Sequence, residues 1–336
     1  MKVSKIKPFQ TQLSMLLLYF ALSFTIFNVY TKAYAATLNL TVSTNKVIYN
    51  VGETVTVNGT LTINSTPVSD GIVAVQVIDP KNYLHVIRAL PIGSPTNFVI
   101  EILQVYLSDQ EGNPKSSVKR GTLGYVTIIW RNNDNADHYT SITLYLYYGN
   151  NQPFLAFVPF SGTVRAGVTQ NMTVSVPIPS DAPLGAAFVC SAAFSNLPSN
   201  NGYAYCPEKS STFTITFTSS LSTTETLQTQ NSSGTYSINF TTPNRGAVLG
   251  NYTVYASVSY QGQYTRKTCT FKLILVGDVD FDGKVDMTDV GLVLRAYGSK
   301  PGDPKWNPNC DFNGDGKIDM TDVGIVLRNY GNYGTY

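Results

Sequence analysis

Residues 278–331 contain one segment twice, and this repeat constrains the fold more than any other feature of the chain. DVDFDGKVDMTDVGLVLRAYG begins at Asp278, and DFNGDGKIDMTDVGIVLRNYG begins 33 residues later at Asp311. Each copy opens with acidic or amide side chains at alternate positions and has a glycine at the sixth position. Apolar residues at helical spacing follow in both copies. The repeat therefore predicts two copies of an acidic loop, each followed by a helix.

The spacing of the oxygen-bearing residues is that of an EF-hand calcium loop. Calcium takes six or more oxygen ligands, and alternate residues of a tight loop point inward. Gly283 and Gly316 stand where the sharp bend favours a residue without Cβ. At the seventh position, Lys284 and Lys317 offer only their backbone carbonyls. We expect two calcium ions, bound by Asp278, Asp280, Asp282, Lys284, Asp286 and Asp289, and by Asp311, Asn313, Asp315, Lys317, Asp319 and Asp322.

Two departures from the ordinary EF-hand are informative. The twelfth position carries Asp289 and Asp322 instead of glutamate, and the stretch before Asp278 has the pattern of a strand and not of an entering helix. A duplicated loop and exit helix with aspartate at the twelfth position resembles a type I dockerin module. The resemblance implies calcium-dependent folding and binding to a cohesin module of a scaffold protein, and it places this dockerin at residues 277–336.

The helices also predict a core face and a partner face. Val290, Val293, Leu294 and Tyr297 recur at helical spacing, and Val323, Val326, Leu327 and Tyr330 repeat them, so we expect both sets in the core. The opposite face would meet the partner, and in dockerins the tenth and eleventh loop positions and a later basic residue contact cohesin. The expected partner-binding residues are Met287, Thr288, Leu292, Arg295, Met320, Thr321, Ile325 and Arg328.

Residues 36–276 predict an all-β region. Runs with alternating apolar residues, such as Thr54–Leu61 and Ile72–Ile78, are bounded by Gly, Pro, Asn and Asp. Short strands with regular turns are typical of β-sandwiches. The predicted fold class is mainly β, with two immunoglobulin-like β-sandwiches, one inserted in the other, plus a small all-α EF-hand-like dockerin.

The insertion rests on two half-domains. The segment KVIYNVGETVTV from Lys46 and the segment VQVIDP from Val75 resemble the first half of a macroglobulin-type (MG2-like) immunoglobulin-like domain. A matching second half, YSINF from Tyr236 and LGNYTVYA from Leu249, follows only much later. We expect residues 36–90 and 224–276 to form one discontinuous sandwich, with residues 91–223 as an inserted immunoglobulin-like sandwich. The alternative is two or three sandwiches in simple series.

The first 35 residues indicate export. A basic start is followed by the apolar stretch Leu13–Val29 and by Ala33-Tyr34-Ala35, which predicts a signal peptide cut after Ala35, with an uncleaved membrane anchor as the alternative. The four cysteines suit an oxidising compartment. We expect a disulfide between Cys190 and Cys206, and a second one between Cys269 and Cys310, with two free thiols as the alternative.

Composition narrows the function further. The formal charge is +2, but four lysines belong to the predicted signal peptide, so the remainder is slightly acidic and nucleic acid is not an expected partner. Nothing in the sequence selects a catalytic pair among the acids of the β region. We therefore expect a secreted or cell-surface, non-enzymatic protein that docks onto a cohesin-bearing scaffold. The alternative is a carbohydrate-active protein, with exposed Tyr and Trp130 stacking on sugar rings.

Overall fold

The computed structural model describes residues 36–217 and 233–336. Within these ranges most residues lie in β-strands, and the two α-helices lie in the C-terminal segment, α1 at Met287–Ala296 and α2 at Met320–Arg328. The fold class expected from the sequence, β-sandwich structure with a small helical dockerin, is therefore confirmed. The predicted signal peptide at residues 1–35 lies outside the described residues.

The first sandwich combines strands from two distant parts of the chain. One sheet has the order β1-β4-β16, with β2 and β5 also paired to β4; these strands are Leu38–Leu40 (β1), Ser43–Thr44 (β2), Thr54–Ile63 (β4), Thr66–Pro67 (β5) and Thr235–Thr241 (β16). The facing sheet has the order β3-β19-β18-β6-β7, formed by Ile48–Asn50 (β3), Asp70–Ile78 (β6), Leu84–Gly93 (β7), Gly250–Tyr260 (β18) and Gln263–Ile274 (β19). Strands from residues 38–93 and 235–274 thus share both sheets.

The second sandwich is formed by residues 100–216 alone. A three-stranded sheet has the order β13-β10-β8, from Ile100–Ser108 (β8), Leu123–Asn132 (β10) and Thr169–Pro177 (β13). The facing sheet has the order β12-β11-β14-β15-β9, from Ser117–Lys119 (β9), His138–Tyr148 (β11), Pro153–Val164 (β12), Gly185–Phe194 (β14) and Lys209–Thr216 (β15). A separate parallel pair joins Arg245–Val248 (β17) to Tyr333–Thr335 (β20).

Side-chain alternation explains why these segments form half-buried strands. In β16, Tyr236, Ile238 and Phe240 are buried while the residues between them are exposed. Phe240 lies opposite Val55 of β4, so apolar side chains of both strands enter the same core. Phe271 stacks on Tyr252 with the ring centroids 4.9 Å apart. The first core is therefore built from residues more than 180 positions apart in sequence.

The two sandwiches share a continuous interface. Arg88 of β7 forms a largely buried ion pair with Glu208, its Nε lying 2.8 Å from the carboxylate. The Arg88 guanidinium also lies over the rings of Tyr145 and Tyr147, each at 5.8 Å. Phe194 of the second sandwich packs into the core of the first. This apolar and ionic contact fixes the two sandwiches against each other.

The loop after β14 strengthens this interface. Backbone N–H of Ser199 donates to Gln76 Oε1 at 2.8 Å, and Ser257 Oγ donates to the carbonyl of Gly202 at 2.7 Å. Arg266 donates to the Ser199 carbonyl at 2.8 Å. The loop after β14 therefore binds the surface formed by β6 and β18 of the first sandwich.

The predicted disulfides are wrong, since all four cysteines are free thiols. Cys190 points into the core of the first sandwich, whereas Cys206 packs in the core of the second. The Cys206 thiol is hydrogen-bonded to the backbone of Ala193, and residues 190 and 193 point to opposite faces of β14. Burial raises the pKa of the Cys190 thiol to about 12 and that of Cys206 to about 11.

The second predicted bond fails for a similar reason. Cys269 lies on β19, where it packs half-buried against the first sandwich near Tyr236. Cys310 is buried inside the C-terminal segment, close to Asp322 and Asp289. The two thiols thus lie in different parts of the core, Cys269 on a sandwich strand and Cys310 inside the C-terminal segment.

Candidate metal centre

The first acidic loop turns sharply because of glycine and local hydrogen bonds. Gly283 has a φ of +85°, which an L side chain rarely adopts. Its N–H donates to Asp278 Oδ2 at 3.0 Å, and the N–H of Asp282 donates to Asp278 Oδ1 at 3.1 Å. These bonds wrap the loop around the Asp278 carboxylate. As a result, carboxylate oxygens of Asp278, Asp280 and Asp282 lie within 4.8 Å of one another.

The ninth and twelfth positions of this loop start helix α1. Asp286 is the N-cap residue, and its Oδ1 accepts a hydrogen bond from the N–H of Thr288 at 2.7 Å. The buried Asp289 carboxylate accepts from the N–H of Asp286 at 2.8 Å and from the N–H of Val279 at 2.7 Å. This capping box, with aspartate where glutamate or glutamine is usual, fixes Asp289 beside the loop.

The second loop repeats this arrangement. Gly316 has a φ of +78°, and its N–H donates to Asp311 Oδ2 at 3.0 Å. Asp319 caps helix α2, and the buried Asp322 accepts from the N–H groups of Asp319 and Phe312, both at 2.9 Å. The two loops thus share one local geometry, and the remaining predicted ligands, Lys284, Asn313, Asp315 and Lys317, lie on them at equivalent positions.

The two loops differ in charge. Burial raises the pKa of Asp278 above its ordinary value, and nearby Asp289 and Asp282 raise it further. In the second loop, Asn313 replaces an aspartate, and Lys317 Nζ lies 3.4 Å from Asp315 and 3.6 Å from Asp319. The hydrogen bond to Asp315 raises the pKa of Lys317. The first loop thus has more unneutralised negative charge.

Both loops fit calcium. Each offers several carboxylate oxygens on a loop whose backbone N–H groups hold the first aspartate in place, and hard oxygen donors suit this ion. In the first loop, three close carboxylates repel one another without a cation. A bound calcium ion supplies the positive charge that lets the loop and its helix fold together.

Sequence reasoning missed two neighbours of the first loop. The Tyr336 hydroxyl donates to Asp278 Oδ2 at 3.0 Å, and the N–H of Gly334 donates to the carbonyl of Gly283 at 2.9 Å. The first loop and residues 331–336 are far apart in sequence, so no local pattern indicates these contacts. The aromatic residues Tyr333 and Tyr336 were the only hint that this segment packs.

The two helices pack through a face displaced from the predicted one. In α1 the buried positions are Asp289, Val290, Val293 and Ala296. Leu294 and Tyr297, expected in the core, are 53% and 45% exposed, and their counterparts Leu327 and Tyr330 are 52% and 50% exposed. The core assignment of these four residues was therefore wrong. The prediction favoured Leu294 and Tyr297 because they are large apolar residues at helical spacing. In the structure the buried stripe of α1 contains the small residue Ala296 instead.

The predicted partner face is also displaced. Thr288, Arg295 and their counterparts Thr321 and Arg328 are exposed, as are Met287 and Met320. Leu292 and Ile325 are half-buried instead. The outward face of α1 therefore contains Met287, Leu294 and Arg295. That of α2 contains Met320, Leu327 and Arg328.

Solved structures give only weak likenesses. A DNA glycosylase, AlkC from Pseudomonas fluorescens, is 10% identical over 36% of this chain and 31% of its own, with a TM-score of 0.27. The C-terminal domain of wzt is 9% identical over 40% of this chain and 83% of its own, at 0.30. The alpha-2-macroglobulin of E. coli is 8% identical over 71% of this chain and 22% of its own, at 0.17. At such scores these likenesses carry no argument about function.

The C-terminal segment has a specific match. A search of curated proteins gives no match. The sequence model of the family described as Dockerin type I domain matches residues 276–329, which contain both acidic loops and both helices. Such domains bind calcium through duplicated EF-hand-like loops. Residues 276–329 are therefore a type I dockerin domain, and its cofactor is calcium.

Proposed function

We propose that this protein is a secreted, non-enzymatic component that docks onto a cohesin-bearing scaffold or cell-surface assembly. The dockerin domain supports calcium-dependent cohesin docking. The observation that carries the proposal is a pair of equivalent apolar surfaces, which we name the first and second docking faces. The first consists of Met287, Thr288, Leu294, Arg295 and Tyr297, and the second of Met320, Thr321, Leu327, Arg328 and Tyr330.

The two docking faces are equally available. Met287 and Met320 are 65% and 64% exposed, and Leu294 and Leu327 differ as little. Exposed large apolar groups beside an arginine are typical of the central part of a protein interface. Two matching faces allow two alternative binding modes related by the pseudo-twofold symmetry of the repeat.

The sandwiches are proposed as a non-catalytic support. We propose that residues 36–90 and 224–276 form a discontinuous MG2-like immunoglobulin-like domain, with residues 91–223 inserted in it. Strands shared between residues 38–93 and 235–274 support this division. The carbohydrate-binding alternative is not favoured, because Trp130 is 1% exposed and cannot offer its ring face to a sugar.

Export is part of the proposal. The predicted signal peptide would carry residues 36–336 out of the cytoplasm. Among the described residues, no helix is long and apolar enough to cross a membrane.

Calorimetric titration of a cohesin module in calcium tests the docking faces. Replacing Leu294 and Arg295 by Ala should weaken binding only modestly, because the second face remains. Replacing Leu327 and Arg328 as well should lower affinity by about a thousandfold, since each face then lacks two central groups that commonly cost about 2 kcal/mol each.

Two controls sharpen this experiment. Tyr83→Ala alters an exposed tyrosine on the first sandwich and should leave affinity unchanged. Leu292→Ala distinguishes the docking faces defined here from the partner face predicted from the sequence, which included Leu292. Because Leu292 is half-buried, its truncation should lower the stability of the domain and leave the affinity of the folded protein nearly intact. Full affinity in the four-residue variant would show that the cohesin contact lies elsewhere.

A further inference from the structure

Residues 331–336 lie between the first calcium loop and the first sandwich. On the loop side, the N–H of Gly331 donates to the carbonyl of Val285 at 2.8 Å, and the N–H of Val285 donates to the carbonyl of Asn332 at 2.9 Å. On the sandwich side, β20 pairs with β17, and the N–H of Leu249 donates to the carbonyl of Thr335 at 2.7 Å. Residues 331–336 are therefore hydrogen-bonded both to the first calcium loop and to the first sandwich.

The contact is too close for a side chain at its centre. A Cβ added to Gly334 would lie 2.8 Å from Leu249 Cγ and 2.9 Å from the carbonyl oxygen of Ala247. A Cβ added to Gly283 would lie 2.7 Å from the carbonyl oxygen of Gly334. Real Cβ atoms do not approach so closely, so two glycines permit the three backbones to pack together.

Side chains at both ends of this contact also connect the dockerin to the first sandwich. The Asn50 amide of β3 donates to Asn329 Oδ1 at 2.8 Å, while its own Oδ1 accepts from the N–H of Val276 at 2.9 Å. Lys81 Nζ donates to Thr335 Oγ1 at 3.0 Å. The dockerin is thus held on the first sandwich by polar contacts on both sides of β20.

The hydroxyl of Tyr336 reaches the first ligand position of the calcium loop. It donates to Asp278 Oδ2, which also accepts from Gly283 N–H, so two donors orient one carboxylate. In the second loop, the described residues that donate to Asp311 all come from its own loop, namely Gly314, Asp315 and Gly316. The first site therefore has an outer hydrogen bond that its copy lacks.

We propose that Tyr336 is a positioning residue of the first calcium site, and that residues 331–336 couple calcium binding at this site to the stability of the first sandwich. A donor behind a ligating carboxylate fixes its orientation, and removing such a partner typically costs 10- to 100-fold in metal affinity, so about tenfold is expected here. Because the same segment is a strand on β17, calcium bound at the first loop also favours the folded sandwich. This coupling makes the two calcium sites inequivalent and does not depend on cohesin binding.

Site-resolved calcium titration tests the positioning role. In 15N-glycine-labelled protein, the amide signals of Gly283 and Gly316 report the first and second loops separately. Tyr336→Phe removes only the hydroxyl and leaves every ligand in place. It should raise the calcium concentration at the midpoint of the Gly283 transition about tenfold and leave the Gly316 midpoint unchanged.

The control and the contrary result are distinct. Tyr83→Phe removes an exposed hydroxyl on the first sandwich and should shift neither midpoint. The extra negative charge of Asp280, where the second loop has Asn313, also favours calcium binding at the first site. A lower calcium midpoint at the first site of the wild type is therefore not evidence for the role of Tyr336. An unchanged Gly283 midpoint in Tyr336→Phe would overturn the positioning role.

The coupling is tested by unfolding the first sandwich with and without calcium, followed through the amide signals of Val57 and Phe240. Calcium should raise its unfolding temperature in the wild type. Gly334→Ala inserts the excluded Cβ and should abolish that rise, whereas Gly291→Ala, whose added Cβ would meet no atom within 4 Å, should retain it. A calcium-independent unfolding temperature in the wild type, or a full rise in Gly334→Ala, would overturn the coupling.

Discussion

The dockerin and the sandwiches reach order by opposite routes. In the dockerin, Asp278 and its hydrogen-bond donors Asp282 and Gly283 lie within five residues of one another. In the first sandwich, β4 pairs with β16 across more than 170 residues. The dockerin therefore depends on local geometry and an ion, while the sandwiches depend on long-range apolar burial. Calcium removal should therefore unfold the dockerin and only lower the stability of the sandwiches, whereas loss of a buried contact between the sandwiches should destabilise the sandwiches alone.

Calcium removal should have the largest effect and should separate the two regions. Chelation leaves close carboxylates in the first loop without a compensating charge, so α1 and α2 should unfold. The β-sheet signal of the sandwiches should remain in far-UV circular dichroism, although their unfolding temperature falls. Loss of the sheet signal at ordinary temperature would show that the sandwiches have no independent fold.

Breaking the buried ion pair should destabilise the sandwiches and leave the dockerin helices unaffected. Arg88→Ala leaves the Glu208 carboxylate buried without its partner, which commonly costs about 3 to 5 kcal/mol. Denaturant unfolding measures this loss. Replacing both residues by Leu should recover most of the stability, because no buried charge then remains. Equal losses in the single and double variants would contradict this account.

Mild acid should weaken the first sandwich through His85. Its ring lies edge-on to Phe240 and Tyr252, its Nε2 is buried without a partner, and burial lowers its pKa from about 6.5 to about 4. Because the unfolded state binds the proton more tightly, stability is complete above pH 6.5 and falls as the pH approaches 4, by up to about 2 kcal/mol at pH 5.

The matched variant for this prediction is His85→Phe, which should remove that part of the pH dependence. Thermal unfolding at pH 7 and pH 5 measures it in both proteins. The same pH dependence in the variant would assign the effect to other groups.

The smallest expected effect concerns the dockerin helices alone. Gly291 of α1 and Gly324 of α2 have no neighbouring atom within 4 Å of an added Cβ, so Ala fits at both positions. Each Gly→Ala change should stabilise the calcium-bound dockerin by about 0.5 to 1 kcal/mol through helix propensity. Calcium-saturated thermal unfolding measures the gain. A stability change in the sandwiches of similar size would show that the two regions unfold as one.

Local pattern predicted much of this molecule correctly. Alternation located strands such as β4 and β6, and the duplicated acidic pattern followed by apolar residues at helical spacing located both loops and both helices. These features depend on a few neighbouring residues, whose backbone conformation and hydrogen bonds are set within one turn. Because the repeat presents the same loop pattern twice, the calcium cofactor could be predicted from the sequence, whereas the individual ligands stay a prediction.

Three features were decided by tertiary structure alone. Whether Leu292 or Leu294 faces outward depends on which side of α1 packs into the core, and both leucines suit an apolar stripe; in the structure Val293 and Ala296 are buried and Leu294 is exposed. Cys190 and Cys206 are separated because they enter two different cores. The acidic loops, the helices and most strands could be predicted from the sequence, because neighbouring residues suffice to form them. Only the tertiary structure placed Tyr336 on Asp278, because a hydrogen bond across 58 residues depends on how the whole chain packs.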